Sequence, residues 1–275
     1  MSWHLNIPKI LHVYWGGGNL PYIRYMTVRS FMNHNPDWEV NLWHPENMIT
    51  VKTEGVCEDY LPELMALPIT KTVFDARNHG FHVEMSPAQT SDLVSYYVLS
   101  TAGGVWADMD IIFFKPISDL AVNTPTNANK ETFVCISGHH SIGFLMGCVN
   151  NKFFNHIISL SKQNFNRIDN QSIGATMLNK HFPRIESVNR ISSVVNIDTD
   201  AVYAYNWKDT KDYLTNKMKF TEHSIGAHWY GGYTTIWDDF YKNTNGGLEN
   251  LSNNIIGNLL KNESTDNSGN QTGVN

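Results

Sequence analysis

The first 45 residues show extended and helical patterns of apolar residues in turn. Residues 7–15 are mostly apolar, which is typical of a buried strand, and three glycines at 16–18 follow them. Pro21 opens a helical segment that continues to Phe31 and stops at Asn35-Pro36. Residues 38–42 place apolar side chains at every second position and predict a second strand. A strand, a helix and a strand in this order indicate an α/β domain.

A second helix is predicted from residue 86 onward. Ser86 suits the N-cap, Pro87 suits the first helical position, and Gln89 completes a capping-box pattern. The predicted helix continues to Ala102. It ends at Gly103-Gly104, because glycine tolerates the left-handed conformation that closes many helices.

Weaker patterns predict the remaining elements. Residues 45–85 are irregular, with one or two helices around residues 61–67. The later segments are predicted, in chain order, as strands at 134–137 and 142–148, helices at 153–160 and 171–181, a strand at 194–197 and a strand or loop at 227–230. Apolar residues from Leu248 to Leu259 repeat at helical spacing and predict a C-terminal amphipathic helix. We expect one domain, residues 1–260, and a disordered polar tail at 261–275.

Two carboxylates, Asp108 and Asp110, stand two residues apart where an apolar segment ends. On a continuing strand both side chains point to one face, and at a strand end both can converge on one hard cation. Carboxylate and diphosphate oxygens are ligands that Mg²⁺ or Mn²⁺ prefers. The pair therefore predicts a metal site suited to an enzyme that neutralises a departing nucleotide diphosphate. The alternative is a solvated acidic turn.

Composition limits the classes of partner. The formal charge is −6 and no run of Lys or Arg occurs, so a nucleic-acid backbone is not expected as the main partner. Residues 1–10 lack the apolar stretch of a signal peptide, and no run reaches the roughly 20 apolar residues that span a bilayer. The 3 cysteines are widely spaced and odd in number. They predict no zinc site and no disulfide framework, and we expect a cytoplasmic location.

Several common catalytic motifs are absent from the sequence. The glycines at 16–18 lack the Lys-Ser/Thr pair of a P-loop, and no GxGxxG dinucleotide fingerprint occurs. No nucleophile-elbow motif accompanies a Ser-His-Asp or Cys-His order. The sequence therefore favours none of these three chemistries.

The chain resembles glycosyltransferases that have a DXD-containing sugar-binding region. The resemblance rests on three blocks in the expected order: residues 7–17, residues 30–43, and residues 91–110, which end in Gly103-Gly104-Val105-Trp106-Ala107-Asp108-Met109-Asp110. It covers roughly residues 7–120 and resumes weakly later in the chain. The family includes yeast Golgi mannosyltransferases, vertebrate α-1,4-galactosyl- and N-acetylglucosaminyltransferases and bacterial capsule enzymes. The glucosylating domains of large clostridial toxins are its relatives.

The resemblance implies a GT-A fold, a Rossmann-like α/β domain with a C-terminal helix. It also implies a nucleotide-sugar donor, Mn²⁺ or Mg²⁺, and retention of the anomeric configuration. By position, Trp15 is similar to the toxin residue that stacks on the nucleobase, and Asp92 to the one that hydrogen-bonds the donor sugar. Asp108 is expected to contact the ribose and sugar and Asp110 to bind the metal, so the expected catalytic residues are Asp92, Asp108 and Asp110.

A late segment places three large side chains, His228, Trp229 and Tyr230, directly before Gly231-Gly232. Glycines beside bulky residues suit a segment that changes its backbone angles and then packs over a ligand. In GT-A enzymes a late loop closes over the diphosphate. The resemblance therefore assigns His228 to the metal beside the two aspartates, and Trp229 and Tyr230 to the donor. The alternative is ordinary packing.

The sequence departs from the family at one position. Most members carry Arg three residues after the helix Asp, whereas this chain has Ser95. Arg77 and Lys71, from the preceding loop, are candidate substitutes. For Asp92 the alternative role is helix capping or a core ion pair, and for Trp15 it is a place in the core. His12 is interpreted as a packed histidine.

The expected reaction is transfer of a hexose from a UDP-sugar, with a GDP-sugar as second choice, to a hydroxyl acceptor such as a glycan. Two alternatives stay open. One is a nucleotide-sugar-binding protein that has lost transfer, which Ser95 motivates. The other is a glycosyltransferase that modifies a nucleic-acid base, against which the negative charge counts.

Overall fold

The computed structural model describes residues 6–48, 59–120, 129–214, 219–232 and 257–259. Residues 257–259 are helical, as expected for the end of the predicted C-terminal helix. The rest of that helix and the predicted tail at 261–275 lie outside the described residues.

The N-terminal half begins with the predicted strand, helix and strand. These are β1 (Ile10–Tyr14), α1 (Tyr22–His34) and β2 (Glu39–His44). A short helix and a strand follow, α2 (Leu61–Ala66) and β3 (Thr70–Val73). Strand β3 was not predicted, because its four residues are exposed or half-buried and show no apolar alternation.

The predicted central helix is confirmed as α3 (Pro87–Thr101), with the full capping box between Ser86 and Gln89. The chain then turns at Gly103 and Gly104, whose φ angles are +67° and +108°. An added Cβ at Gly104 would lie 2.6 Å from the Ile10 carbonyl oxygen, so only glycine fits there. The turn leads into β4 (Gly104–Ala107) and β5 (Ile111–Phe113).

The remaining elements agree with the predicted order apart from one added helix. In chain order they are β6 (Thr132–Ile136), β7 (His140–Gly147), α4 (Lys152–Asn164), α5 (Ala175–His181), α6 (Ile185–Asn189), β8 (Val194–Asn196) and β9 (Gly226–His228). The added helix is α6.

A mixed seven-stranded sheet forms the centre of the fold, in the order β3-β2-β1-β4-β7-β6-β8. Strands β3, β2, β1 and β4 run parallel, and β7 is antiparallel to both of its neighbours, β4 and β6. Strands β5 and β9 form a separate two-stranded antiparallel sheet. The predicted α/β class is therefore confirmed.

Both faces of the main sheet are buried, which explains the nearly continuous apolar runs of its strands. Along β4, Val105 and Ala107 pack into the cluster that includes α1, whereas Trp106 packs into the cluster of α3 and α4. Alternate side chains of one strand thus serve two cores. This packing holds the end of β4 in place, and Asp108 is the next residue of the chain.

Candidate metal and donor site

The two aspartates of the predicted site lie between the two sheets. Asp108 directly follows β4 and Asp110 directly precedes β5. The backbone N–H of Asp108 donates to the carbonyl oxygen of Gly143 in β7 at 2.8 Å. The pair therefore marks the point where the chain leaves the main sheet for the small one, rather than the continuing strand that the sequence pattern also allowed.

Strand β9 brings His228 to this point. Its register with β5 places His228 opposite Ile111, one residue after Asp110. The backbone N–H of Trp229 donates to the carbonyl oxygen of Asp110 at 2.9 Å, which extends the pairing by one further contact. The prediction of a strand or loop here is confirmed as a strand for residues 226–228.

Asp108, Asp110 and His228 form a cluster in which one ligand atom of each lies within 4.8 Å of the others. His228 Nε2 lies 3.1 Å from Asp110 Oδ1. The N–H of Gly231 donates to Asp110 Oδ2 at 2.8 Å, and Trp106 Nε1 donates to Asp108 Oδ1 at 3.0 Å. The three predicted metal ligands are therefore together, each oriented by a neighbouring group.

Burial has the largest influence on the ionisation of this cluster. Burial and the charge of Asp110 raise the pKa of Asp108 to about 6. Burial alone would raise the pKa of Asp110, but the charge and hydrogen bond of His228 bring it below its ordinary value. Burial alone would lower the pKa of His228, yet Asp110 and Asp108 raise it. The arrangement favours protonated His228 beside ionised Asp110, and a bound cation would replace that proton.

Gly143 provides the space inside the cluster. An added Cβ at this position would lie 2.9 Å from both Asp108 Oδ2 and His228 Nε2. Such an atom would occupy the volume between two of the three candidate ligands. The space and the donor set, two carboxylates and one imidazole, fit a small divalent cation.

Asp92 lies on α3 near this cluster, and its Oδ2 is buried without a hydrogen-bond partner among the described residues. Burial and the charge of Asp108 raise the pKa of Asp92 well above its ordinary value. Gly174 approaches it so closely that an added Cβ would lie 2.4 Å from Oδ2. A buried carboxyl group without a partner is costly to maintain, which favours a ligand-binding role over a core ion pair.

The structure places neither of the proposed substitutes for the family arginine beside the aspartates. Ser95 is buried, and its hydroxyl donates to the Asp92 carbonyl oxygen at 2.7 Å. The exposed Arg77 pairs with Asp75, and Lys71 donates to the Leu67 carbonyl oxygen. Among the residues that the structure describes, Arg24 of α1 is the arginine whose charge lowers the pKa of both Asp108 and Asp110.

Two of the three aromatic residues that were predicted to contact the donor lie close to Arg24. Its guanidinium carbon lies 5.5 Å from the ring centroid of Trp15 and 5.2 Å from that of Trp229. Trp229 is fully buried. The Tyr230 ring packs edge-on against His228 at 4.3 Å, and its hydroxyl donates to the Tyr205 carbonyl oxygen. Direct donor contacts of Trp15, Trp229 and Tyr230 stay predictions.

A cavity of about 750 Å³ opens where β1 and β3 end. Its lining includes Tyr14, Gly16 and Gly17 after β1, Asn47 after β2, Phe74 after β3 and Thr90 near the start of α3. Ligands in α/β proteins bind at the carboxyl ends of parallel strands, and this cavity lies at such a position.

Sequence reasoning missed three residues of this region, Arg24, Gly143 and Gly174. A glycine inside a strand often marks the close approach of another group, so Gly143 carried a usable signal. Arg24 carried none, because only the packing of α1 against β5 and β9 places it beside the aspartates.

A comparison with protein families matches residues 24–131 to the "Glycosyltransferase sugar-binding region containing DXD motif". Two curated proteins of Schizosaccharomyces pombe are similar to this chain. Inositol phosphoceramide mannosyltransferase 1 is 27% identical over 46% of the chain, and inositol phosphoceramide mannosyltransferase 3 is 29% identical over 38%. The matched parts span only 33% and 24% of those two proteins.

Among solved structures, glycosyltransferase GlyE from Streptococcus pneumoniae is similar to this chain, with a TM-score of 0.48 and 12% sequence identity. The match covers 95% of this chain and 64% of GlyE. Within the described part of the chain, we find no helix with the length and apolarity that crossing a membrane requires. The matched residues 24–131 contain Asp92, Asp108 and Asp110. Over these residues the chain is similar to the DXD-containing sugar-binding region of glycosyltransferases, and the two mannosyltransferases share that similarity.

Proposed function

We propose that this protein transfers a hexose from a nucleotide sugar to a hydroxyl group of an acceptor such as a glycan, with retention of anomeric configuration. A UDP-sugar is favoured as donor and a GDP-sugar is second. The observation that supports this proposal is the convergence of Asp108, Asp110 and His228 beside the unpartnered carboxyl group of Asp92.

Asp108, Asp110 and His228 would hold Mn²⁺ or Mg²⁺ in this proposal. A bound cation of this type supplies Lewis-acid stabilisation of the negative charge that develops on the leaving diphosphate. Gly231 and Trp106 hold the two carboxylates in place through hydrogen bonds of 2.8 and 3.0 Å. This pre-orientation matters because ligands that are already fixed lose little freedom on binding.

Asp92 would bind hydroxyl groups of the donor sugar. Its Oδ2 lacks a hydrogen-bond partner among the described residues, and the charge of Asp108 raises its pKa. Its raised pKa favours a protonated carboxyl group, which is able both to donate and to accept a hydrogen bond. Contacts on the sugar ring would hold the anomeric carbon in line with the acceptor.

The cavity beside Tyr14 and Gly16 would take the nucleoside part of the donor. It begins at the carboxyl end of β1, where Trp15 also lies, and extends to Thr90, two residues before Asp92 on α3. A nucleoside there would direct its phosphates toward the aspartate cluster.

Retention is proposed to occur by front-side substitution. The bond from the anomeric carbon to the diphosphate oxygen breaks, and a bond to the acceptor oxygen forms on the same face. The acceptor proton passes to an oxygen of the leaving phosphate. In this scheme Asp92 orients the sugar and does not act as a nucleophile.

A mannosyl donor is the first alternative sugar to test, since both curated relatives are named mannosyltransferases. A second candidate function is binding of a nucleotide sugar without transfer. It is favoured by Ser95, whose buried hydroxyl bonds the Asp92 carbonyl oxygen and leaves no cation at that position of α3.

Release of nucleotide diphosphate from UDP-glucose, UDP-galactose and GDP-mannose in the presence of Mn²⁺ tests the proposal. We expect Asp110→Asn to reduce turnover at least about a hundredfold while it keeps the fold, because Asn retains an oxygen for the Gly231 N–H. The matched control is Asp119→Asn, the same change at an exposed carboxylate nine residues along. Full activity in EDTA would contradict a metal-dependent mechanism, and metal-dependent binding without turnover would favour the binding protein.

A further inference from the structure

The carboxylate cluster has an unusual charge balance. Asp92, Asp108 and Asp110 gather three acidic groups in a buried region, with His228 as the one basic ligand. A divalent cation compensates two negative charges. A nucleotide diphosphate at the same place adds at least two more, so its binding calls for another positive charge nearby.

Arg24 supplies a positive charge at this position. Its Nη2 lies against the backbone of Gly231, whose N–H binds Asp110 Oδ2. Its charge lowers the pKa of Asp108, Asp110 and His228 alike. Among the described residues, it is the one Lys or Arg side chain with such an influence on the cluster.

Two tryptophan rings lie close to the guanidinium group of Arg24. The two tryptophan rings, Trp15 and Trp229, lie 5.5 and 5.2 Å from its central carbon. Its Nη1 donates a long hydrogen bond of 3.4 Å to the carbonyl oxygen of Met109, the residue between the two aspartates. This bond uses one of five N–H donors that an arginine presents.

Gly231 adds a second constraint. An added Cβ at Gly231 would lie 2.7 Å from Arg24 Nη2 and 2.5 Å from the Trp229 ring. The backbone of Gly231 therefore lies directly against the guanidinium, while its N–H binds Asp110 Oδ2. Arg24 is packed at the edge of the candidate metal site, on the same backbone segment that orients one of the ligands.

We propose that Arg24, held between Trp15 and Trp229, binds the diphosphate of the nucleotide donor. This role rests on the proposed function, since it needs a diphosphate at the metal site. A planar guanidinium matches phosphate oxygens with paired N–H groups, and stacking on aromatic rings reduces the freedom that it loses on binding. The same contacts make Trp15 and Trp229 positioning residues for Arg24.

The test uses Arg24→Gln and Arg24→Lys in the full chain, with Arg29→Gln as the matched control. Arg29 lies on the same helix, five residues after Arg24, and its charge acts on Tyr22 and Tyr25. Calorimetry measures the affinity for Mn²⁺ alone, and for UDP and UMP in the presence of Mn²⁺. Melting temperatures report whether each variant is folded.

We expect Arg24→Gln to weaken UDP binding at least about tenfold, the change that follows loss of a charged hydrogen bond. UMP, which lacks the second phosphate, should lose less affinity. Mn²⁺ alone should bind Arg24→Gln as tightly as the wild type or more tightly, because a neighbouring positive charge has been removed. Arg24→Lys should be intermediate for UDP, since it keeps the charge and loses the planar fork.

Weaker binding of both Mn²⁺ and UDP, with a lowered melting temperature in Arg24→Gln and Arg24→Lys alike, would overturn the inference in favour of a structural clamp. Unchanged UDP affinity in a folded Arg24→Gln protein would overturn it directly, while the proposed function would stand. Failure of the wild type to bind UDP or GDP with Mn²⁺ would instead remove the proposed function, and this inference with it.

Discussion

His12 of β1 contacts β2 and the turn before β4 through its two ring nitrogens. Nε2 lies 3.0 Å from the Gly103 carbonyl oxygen and therefore donates to it, while Trp43 Nε1 donates to Nδ1 at 3.2 Å. This pattern specifies the neutral ring with its proton on Nε2. The interpretation of His12 as a packed histidine is confirmed, since it is 2% exposed.

This neutral histidine should make the protein less stable in acid. Burial lowers the pKa of His12 from 6.5 to about 4, against a smaller opposing effect of the Gly103 hydrogen bond. Between these two pH values the unfolded chain binds a proton that the folded protein does not. The free energy of unfolding should therefore fall by about 1.4 kcal/mol per pH unit below 6.5 and level off near pH 4.

Urea denaturation of the wild type and His12→Gln, measured at intervals from pH 4 to pH 7, checks this expectation. Gln offers both a donor for Gly103 and an acceptor for Trp43, and it does not titrate. Its stability should depend less on pH, whereas His82→Gln, at an exposed histidine, should retain the wild-type slope. Parallel curves for the wild type and His12→Gln would show that His12 is not the source.

At the scale of elements, Gln89 joins the start of α3 to the turn at 166–172. Its Oε1 accepts from the Ser86 N–H at 3.0 Å in the capping box. Its Nε2 donates to the carbonyl oxygens of Asn166 and Asp169 at 2.8 and 3.0 Å. The turn leads directly to Gly174, which packs against Asp92. One buried amide thus connects the start of α3 to the segment that packs against Asp92.

Gln89→Ala should therefore cost more stability than Ser86→Ala. The Ser86 change removes an N-cap, which costs about 1 kcal/mol. The Gln89 change removes the same box and also the two hydrogen bonds to the carbonyl oxygens of Asn166 and Asp169, each of which keeps one donor from Ser172; this costs about 1–3 kcal/mol more. Chemical denaturation gives both values, and hydrogen exchange should show the turn at 166–172 opening only in Gln89→Ala. Equal losses in the two variants would mean that the turn is held by other contacts.

The sequence predicted elements whose signals are local. The capping box and the Gly103-Gly104 turn gave α3 its bounds to within one residue. The aspartate pair gave two of the three candidate metal ligands from spacing alone, whereas His228 came from resemblance. The pairing of β5 with β9 could not be predicted from pattern, because it joins three-residue strands that lie more than 100 residues apart. Arg24 depends on the same long-range packing.

On the scale of the whole molecule, the candidate metal site joins distant parts of the chain. Asp108 and Asp110 come from the end of the main sheet, and His228 comes from β9, which is 118 residues after Asp110. A ligand that binds only the folded protein stabilises all of it. A cation held by groups from both regions should therefore resist global unfolding and local release of β9 alike.

Mn²⁺ and UDP together should raise the free energy of unfolding by about 2.7 kcal/mol when the nucleotide is at 100 times its Kd. In His228→Ala the same concentrations should give a much smaller rise, because the loss of one ligand weakens binding of the cation and therefore also binding of the diphosphate. His223→Ala, an exposed histidine five residues earlier, is the matched control and should keep the full effect. The measurement is urea denaturation with Mn²⁺, with UDP, with both and with neither. A His228→Ala protein that gains as much from Mn²⁺ and UDP as the wild type would place the cation elsewhere. A rise with UDP alone that Mn²⁺ does not increase would separate nucleotide binding from the aspartate cluster.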